Sequence, residues 1–258
     1  MRVAVIGRAA GLAAAASGVG IEVVTLRGAA PPAAGAAEVV DYAGFREALE
    51  DPRVFFLDLA PGPDIDSVVD TAYLHMDPGD VVVDTSGSYW GDTLRRWRRM
   101  RHRAIYYLDA TILPQAPGRR ILLAGEARGC ARARPALERL AAGGPLIRAG
   151  APGAAHYALM VEQALEAMIA RARSEARQLL EAFPGPLDAL AVLRALPGGE
   201  VADAPRAAWL LEDALRLQAT TPLLALTVMQ GTADALDEQR APERLPRLGP
   251  FVHPDELH

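Results

Sequence analysis

Short apolar runs alternate with helical stretches through the first half of the chain, and this alternation restricts the fold more than any other feature. Residues 2–6 (RVAVI) form such a run, ending at Gly7. Further runs stand at 22–26, 38–40, 54–59, 81–84, 104–109, 121–124 and 145–148. Helical patterns near 10–18, 64–76, 91–102 and 130–142 separate several of them, and 28–36 (GAAPPAAGA) reads as a loop. A strand that is apolar along its whole length is buried on both faces, and strands separated by helices pair in parallel. The spacing predicts an α/β domain over residues 1–150, with a mostly parallel sheet covered on both faces.

The pattern changes at Pro152. From there to Phe183 no glycine or proline intervenes beyond Gly153, and apolar positions recur at helical spacing. A helix of about 30 residues is longer than a small domain needs, so it links two bodies or enters a dimer interface. After the Phe183–Pro184–Gly185–Pro186 break, short helices are expected near 187–196, 204–218 and 221–238. Residues 151–258 therefore read as an all-α domain, with a proline-rich tail after Arg240.

Composition excludes several functions. Apolar residues make up 51% of the chain and charged ones 23%, enough for a sizeable core. A net charge of −5 argues against a nucleic-acid binder. The arginine run 95–103 around Trp97 and His102 reads as a solvated helix face. No apolar run has the length of a membrane span and no signal-peptide pattern opens the chain, so no membrane partner is expected and the cytoplasm is the expected compartment. One cysteine, Cys130, excludes an intrachain disulfide and a multi-thiolate metal site, and no metal is expected. All 27 basic residues are arginine. The absence of lysine removes a phosphate-loop lysine, a Schiff-base lysine and a lysine general base together.

The junction after the first strand is where a doubly wound, Rossmann-type sheet places a pyrophosphate, on the free N–H groups of a helix start. The chain offers Gly7-Arg8-Ala9-Ala10-Gly11-Leu12 for the glycine fingerprint, with alanine and leucine at the second and third glycine positions. The second strand ends at Leu26-Arg27 instead of a carboxylate. With Arg8 nearby, two guanidiniums suit a 2′-phosphate, so NADP is expected over NAD. Leu59, Ala60 and Ser86 complete the cofactor candidates with Gly7, Arg8, Ala9 and Arg27.

Four segments carry a resemblance to a known family. "GDVVVDTSGSYWGDTLRR" (79–96), "YYLDATI" (106–112), "AGAPGAAHYALMVEQALEAM" (149–168) and "EVADAPRAAWLLEDAL" (200–215) resemble, in order and spacing, segments of the 6-phosphogluconate and 3-hydroxyisobutyrate dehydrogenase superfamily, whose distant members include imine reductases. The resemblance implies a Rossmann domain, a long interdomain helix and an all-α domain that pairs into a homodimer. It also implies a small-molecule substrate. The position of the family's catalytic lysine falls on Leu159, and those of its His and Asn fall on Glu162 and Gln163. Its later acidic residue is retained as Glu166, and these four positions share one helix face. The substrate loop Ser-Gly-Gly is replaced by Leu113-Pro114-Gln115, and the loop Asn by Gly87, between Ser86 and Ser88. His156 is retained, and Arg206 is the candidate for an anion on the substrate. Asp58 puts a charge at a strand end where the family is neutral, either to bond the loop or to replace a ligand group.

Leucine accepts no proton, and general-base help is worth about 10²–10⁴-fold in rate. The resemblance, so altered, implies hydride transfer to or from an imine- or carbonyl-type substrate. Glu166, Gln163 and His156 are the catalytic candidates, and Leu159, Glu162 and Arg206 the substrate contacts. The alternative is a catalytically silent relative that keeps the fold as a binding or scaffold protein.

Overall fold

The computed structural model describes residues 1–7, 11–27, 35–195 and 207–237. The chain divides into two compact units, Met1–Glu162 and Gln163–His258, each described by itself. Eight strands form one sheet in the first unit: β1 (Arg2–Gly7), β2 (Glu22–Leu26), β3 (Ala37–Val39), β4 (Val54–Asp58), β5 (Val81–Asp84), β6 (Tyr106–Pro114), β7 (Arg119–Ala124) and β8 (Leu146–Gly150). Their order is β3-β2-β1-β4-β5-β6-β7-β8. Every pair is parallel except β6 and β7.

The mostly parallel sheet expected from the spacing thus holds one antiparallel pair, β6 with β7. Residues 104–124 hold no helix, so the chain reverses through a tight turn. Gly118 takes φ +79 there, and a Cβ on it would lie 2.1 Å from the Ala141 carbonyl oxygen. β6 runs on to Pro114, so Leu113 and Pro114 pair with Arg120 and Arg119. The expected substitute for the family's substrate loop is therefore largely strand.

Alternate residues of β1 feed two apolar layers. Val3 and Val5 join Ala13 and Ala16 of helix α1 (Gly11–Gly18), with Ala133, Leu137 and Leu140 of a later helix. Ala4 and Ile6 join Phe45 of α2 (Phe45–Ala48), Ile65 and Val69 of α3 (Pro63–Ala72) and Met100 of α4 (Trp90–Arg101). α5 (Ala127–Ala141) supplies the later residues of the first layer. Both faces of the sheet are thus covered, as fully apolar strands require.

α6 (Ala154–Glu181) is the long helix, and the division between units falls within it. The second unit continues with α7 (Ala189–Ala195), α8 (Ala207–Arg216) and α9 (Pro222–Asp237), with no strand among its described residues. Glu175 of α6 is almost fully buried. Its carboxylate accepts from the Leu223 N–H at 3.0 Å and the Leu224 N–H at 3.1 Å, capping the start of α9. Leu165, Met168 and Ile169 of α6 and Leu226 and Met229 of α9 are exposed on the single chain.

Candidate active site

Parallel strands bring their C-terminal ends to one edge, and ligands of such sheets gather there. The register sets Gly7 beside Asp58, Leu57 beside Asp84, and Asp84 beside Asp109. Asp58 and Asp84 thus end β4 and β5, Asp109 lies beside Asp84 within β6, and each is engaged by protein groups.

Asp84 is fully buried and organises the loop that follows β5. One oxygen accepts the Ser86 N–H at 3.0 Å, and the other accepts the Tyr107 hydroxyl at 2.6 Å. Burial first, and then the Asp84 charge, hold the Tyr107 hydroxyl well above its usual range, which keeps it a donor. The Ser86 and Ser88 hydroxyls lie 2.7 Å apart, and the Arg96 guanidinium donates to Ser88 at 3.0 Å. Arg96 also grips both oxygens of Asp66, at 3.0 and 3.1 Å. This fork fixes α4 against α3 and locks the serine loop from below.

Burial works to raise the Asp66 carboxyl, but the Arg96 and Arg95 guanidiniums overcome it and hold the group down to about 2. A depressed carboxyl stabilises the fold above its unfolded value, about 3.9. That contribution declines as pH falls toward about 2. Acid unfolding followed by circular dichroism should therefore lose part of its pH dependence between those values in Asp66→Asn. An unchanged acid profile would contradict this account of the pair.

The start of α6 is pinned to the same edge. The Asp109 carboxylate accepts N–H groups from Gly153 at 2.7 Å, Ala155 at 2.9 Å and His156 at 3.0 Å. His156 is fully buried, with Nδ1 2.8 Å from the Thr93 hydroxyl and Nε2 3.2 Å from the Asp84 carbonyl oxygen. Both ring nitrogens are thus bound to protein groups.

One turn on, Leu159 packs on Gly87. That glycine takes φ +69, and a Cβ on it would sit 3.1 Å from Leu159 Cδ2. The position expected to have lost the lysine therefore faces the serine loop with hydrocarbon. Glu162 is ion-paired with Arg120 of β7. Gln163 and Glu166 belong to the second unit, and both are exposed on the single chain. Arg206 lies outside the described residues.

At the cofactor side, Arg8 and Ala9 also lie outside the described residues. Gly7 leaves no space for a side chain, since a Cβ would fall 2.1 Å from the Asp58 carbonyl oxygen. Leu59 is half-buried against the core, Ala60 is exposed, and Ser86 is held in the loop network. Arg27 is exposed, with Glu38 of β3 3.9 Å from its Nε. A carboxylate thus reaches the end of β2 from the neighbouring strand, where the sequence order of β2 alone shows none. The other residues missed by spacing are Arg96, Thr93 and Arg120, which act across gaps of many residues and carry no local motif.

The arginine-rich face of α4 is largely neutralised within the chain. Arg95 and Arg96 pair with Asp66, and Arg99 with Asp70. Arg101 pairs with Glu126, and Arg103 donates to the Tyr73 and Met76 carbonyls. Among the described residues, no three His, Cys, Asp or Glu side chains are grouped to hold a metal ion. No helix among them is long and apolar enough to cross a membrane.

The strand order, the covered sheet and the loops at its C-terminal edge define a Rossmann-type dinucleotide-binding protein. A family model described as the NAD binding domain of 6-phosphogluconate dehydrogenase matches residues 3–157, and the chain belongs to that family. A decarboxylating 6-phosphogluconate dehydrogenase of Bacillus licheniformis is 32% identical over 130 residues, covering 47% of this chain and 28% of that protein. The NAD(+)-dependent, decarboxylating enzyme of Bacillus subtilis is 31% identical over 156 residues, covering 57% of this chain and 33% of that one. The matched stretch thus spans about a third of each relative's length. In fold, an imine reductase from Bacillus cereus superposes with a TM-score of 0.69 at 16% identity, covering 93% of this chain and 95% of that one. A Mycobacterium tuberculosis 3-hydroxyisobutyrate dehydrogenase superposes at 0.61 with 18% identity, covering 92% and 94%.

The residues fit a dinucleotide in part. The loop edge suits it, and a Cβ on Gly11 would meet nothing within 4 Å. The Asp58 carboxylate does not suit it, because it already accepts the Leu12 N–H in the first turn of α1.

Proposed function

We propose that the chain is an NADP-dependent oxidoreductase that transfers hydride to or from a small imine- or carbonyl-type substrate. The nicotinamide supplies the hydride chemistry when bound. The observation that carries the reading is Leu159 packed on Gly87, which faces the serine loop with hydrocarbon where a lysine-based dehydrogenase needs a proton acceptor. With no lysine in the chain, none replaces it. Reduction of C=N needs a proton donor instead, and Glu166 is assigned that role on α6. Gln163 orients the substrate. His156 is a positioning residue that ties α6 to Thr93 and to the backbone of Asp84. Leu159 forms an apolar wall, Glu162 presents a charge balanced by Arg120, and Arg206 meets an anionic group. The exposed apolar residues of α6 support a homodimer, which sedimentation tests. The proposed compartment is the cytoplasm.

Purified chain supplied with NADPH and a panel of cyclic imines and small ketones should oxidise the nicotinamide. No detectable NADPH binding at millimolar cofactor would turn the reading toward a silent relative, a reading that the Asp58 contact favours.

Arg27 is assigned to the 2′-phosphate. Arg27→Ala should weaken NADPH by about tenfold or more, as for a hydrogen bond to a charged group, and NADH little. Glu38→Gln should shift preference the other way, since it removes the carboxylate beside Arg27. Equal losses for both cofactors in Arg27→Ala, read by fluorescence titration, would undo the assignment.

A further inference from the structure

Asp58 ends β4 beside Gly7, and its Oδ2 accepts the Leu12 N–H at 3.1 Å across 46 residues. Leu12 lies in the first turn of α1, whose leading N–H groups have no partner within the helix. Those groups and the helix dipole attract an anion, and in a dinucleotide fold the anion is the pyrophosphate. Here the protein provides one of its own. The contact is built in by the strand register, because only glycine at position 7 lets the β4 backbone at Asp58 come so close.

We propose that the Asp58 carboxylate is a resident occupant of the pyrophosphate position, so that a dinucleotide binds only by displacing it and affinity is held low. The proposal rests on the dinucleotide reading above. It also accounts for the charge at a strand end that spacing leaves unexplained. The carboxylate bonds the first turn of α1 in the absence of cofactor and repels the phosphates that compete for the same N–H group. Because the pyrophosphate is common to both cofactors, the effect is blind to the 2′-phosphate and separate from Arg27.

The test is Asp58→Asn, which keeps an oxygen acceptor for Leu12 and removes the charge. Asp58→Ser serves as a second variant, and circular dichroism checks that both fold. NADH, NADPH and inorganic pyrophosphate are titrated against each protein by fluorescence and thermal shift. The proposal expects both variants to bind all three about tenfold or more tighter than the parent chain, by similar factors for NADH and NADPH. If the variants gain pyrophosphate but neither dinucleotide, Asp58 holds the position and the dinucleotide reading fails. If the parent binds dinucleotide and folded variants bind it no better, the proposal is overturned and that reading stands. If no variant gains any of the three ligands, the proposal is likewise overturned.

Discussion

Asp109→Ala is expected to destabilise the chain by about 3–5 kcal/mol, the largest stability loss of any single substitution considered for the site. Asp109 is fully buried, and its two oxygens accept the N–H groups of Gly153, Ala155 and His156 where α6 begins. Alanine leaves three buried donors without an acceptor, and each orphaned donor costs about 1–3 kcal/mol. Partial relaxation and entering water bring the total below the simple sum. Asp109→Asn keeps one acceptor oxygen but turns an amide N–H₂ toward the other donors, so it should lose an intermediate amount. Because the same turn carries His156 toward Thr93 and Leu159 toward Gly87, loosening it should also disturb the serine loop. Denaturant unfolding measures the change. An Ala variant within about 0.5 kcal/mol of the parent would show that the three bonds are not what anchors α6.

Glu166→Gln is expected to lower the rate of imine reduction by about 10²–10⁴-fold, the range of general-acid assistance, while NADPH affinity stays unchanged. Glutamine keeps the size of the side chain and one acceptor oxygen and removes the acidic proton to be given. Glu162→Gln is the matched control on the same helix. Its charge is already balanced by Arg120, so its loss should change substrate affinity more than turnover. Steady-state rates across a range of pH distinguish the two. A full-rate Glu166→Gln enzyme would move the proton donor elsewhere.

The sheet was legible because β1, β4 and β5 are buried on both faces, so their sequences carry almost no polar interruption. The hairpin between β6 and β7 was less legible, since strand character alone does not give direction and the turn at 115–118 has no helix to signal a crossover. Leu159 could be placed by the family resemblance of the local stretch 149–168. The fate of His156 could not, because its partners Thr93 and Asp84 lie 63 and 72 residues away. Glu38 illustrates the same limit: β3 pairs with β2 through a connection that carries no motif, so its carboxylate comes to Arg27 only through tertiary structure. Asp58 was visible as an anomaly, but its partner, the Leu12 N–H, is a backbone group that no side-chain pattern can reveal.

We propose that this member of the family, with Leu159 where the family's lysine falls and no lysine anywhere in its sequence, does not take the hydroxyl proton of 6-phosphogluconate as hydride leaves. Incubation with 6-phosphogluconate and NADP⁺ or NAD⁺, at cofactor levels shown by titration to saturate the chain, tests it most directly. No reduced nicotinamide is expected to form above the buffer control. Sustained reduction of either cofactor with release of carbon dioxide would contradict it.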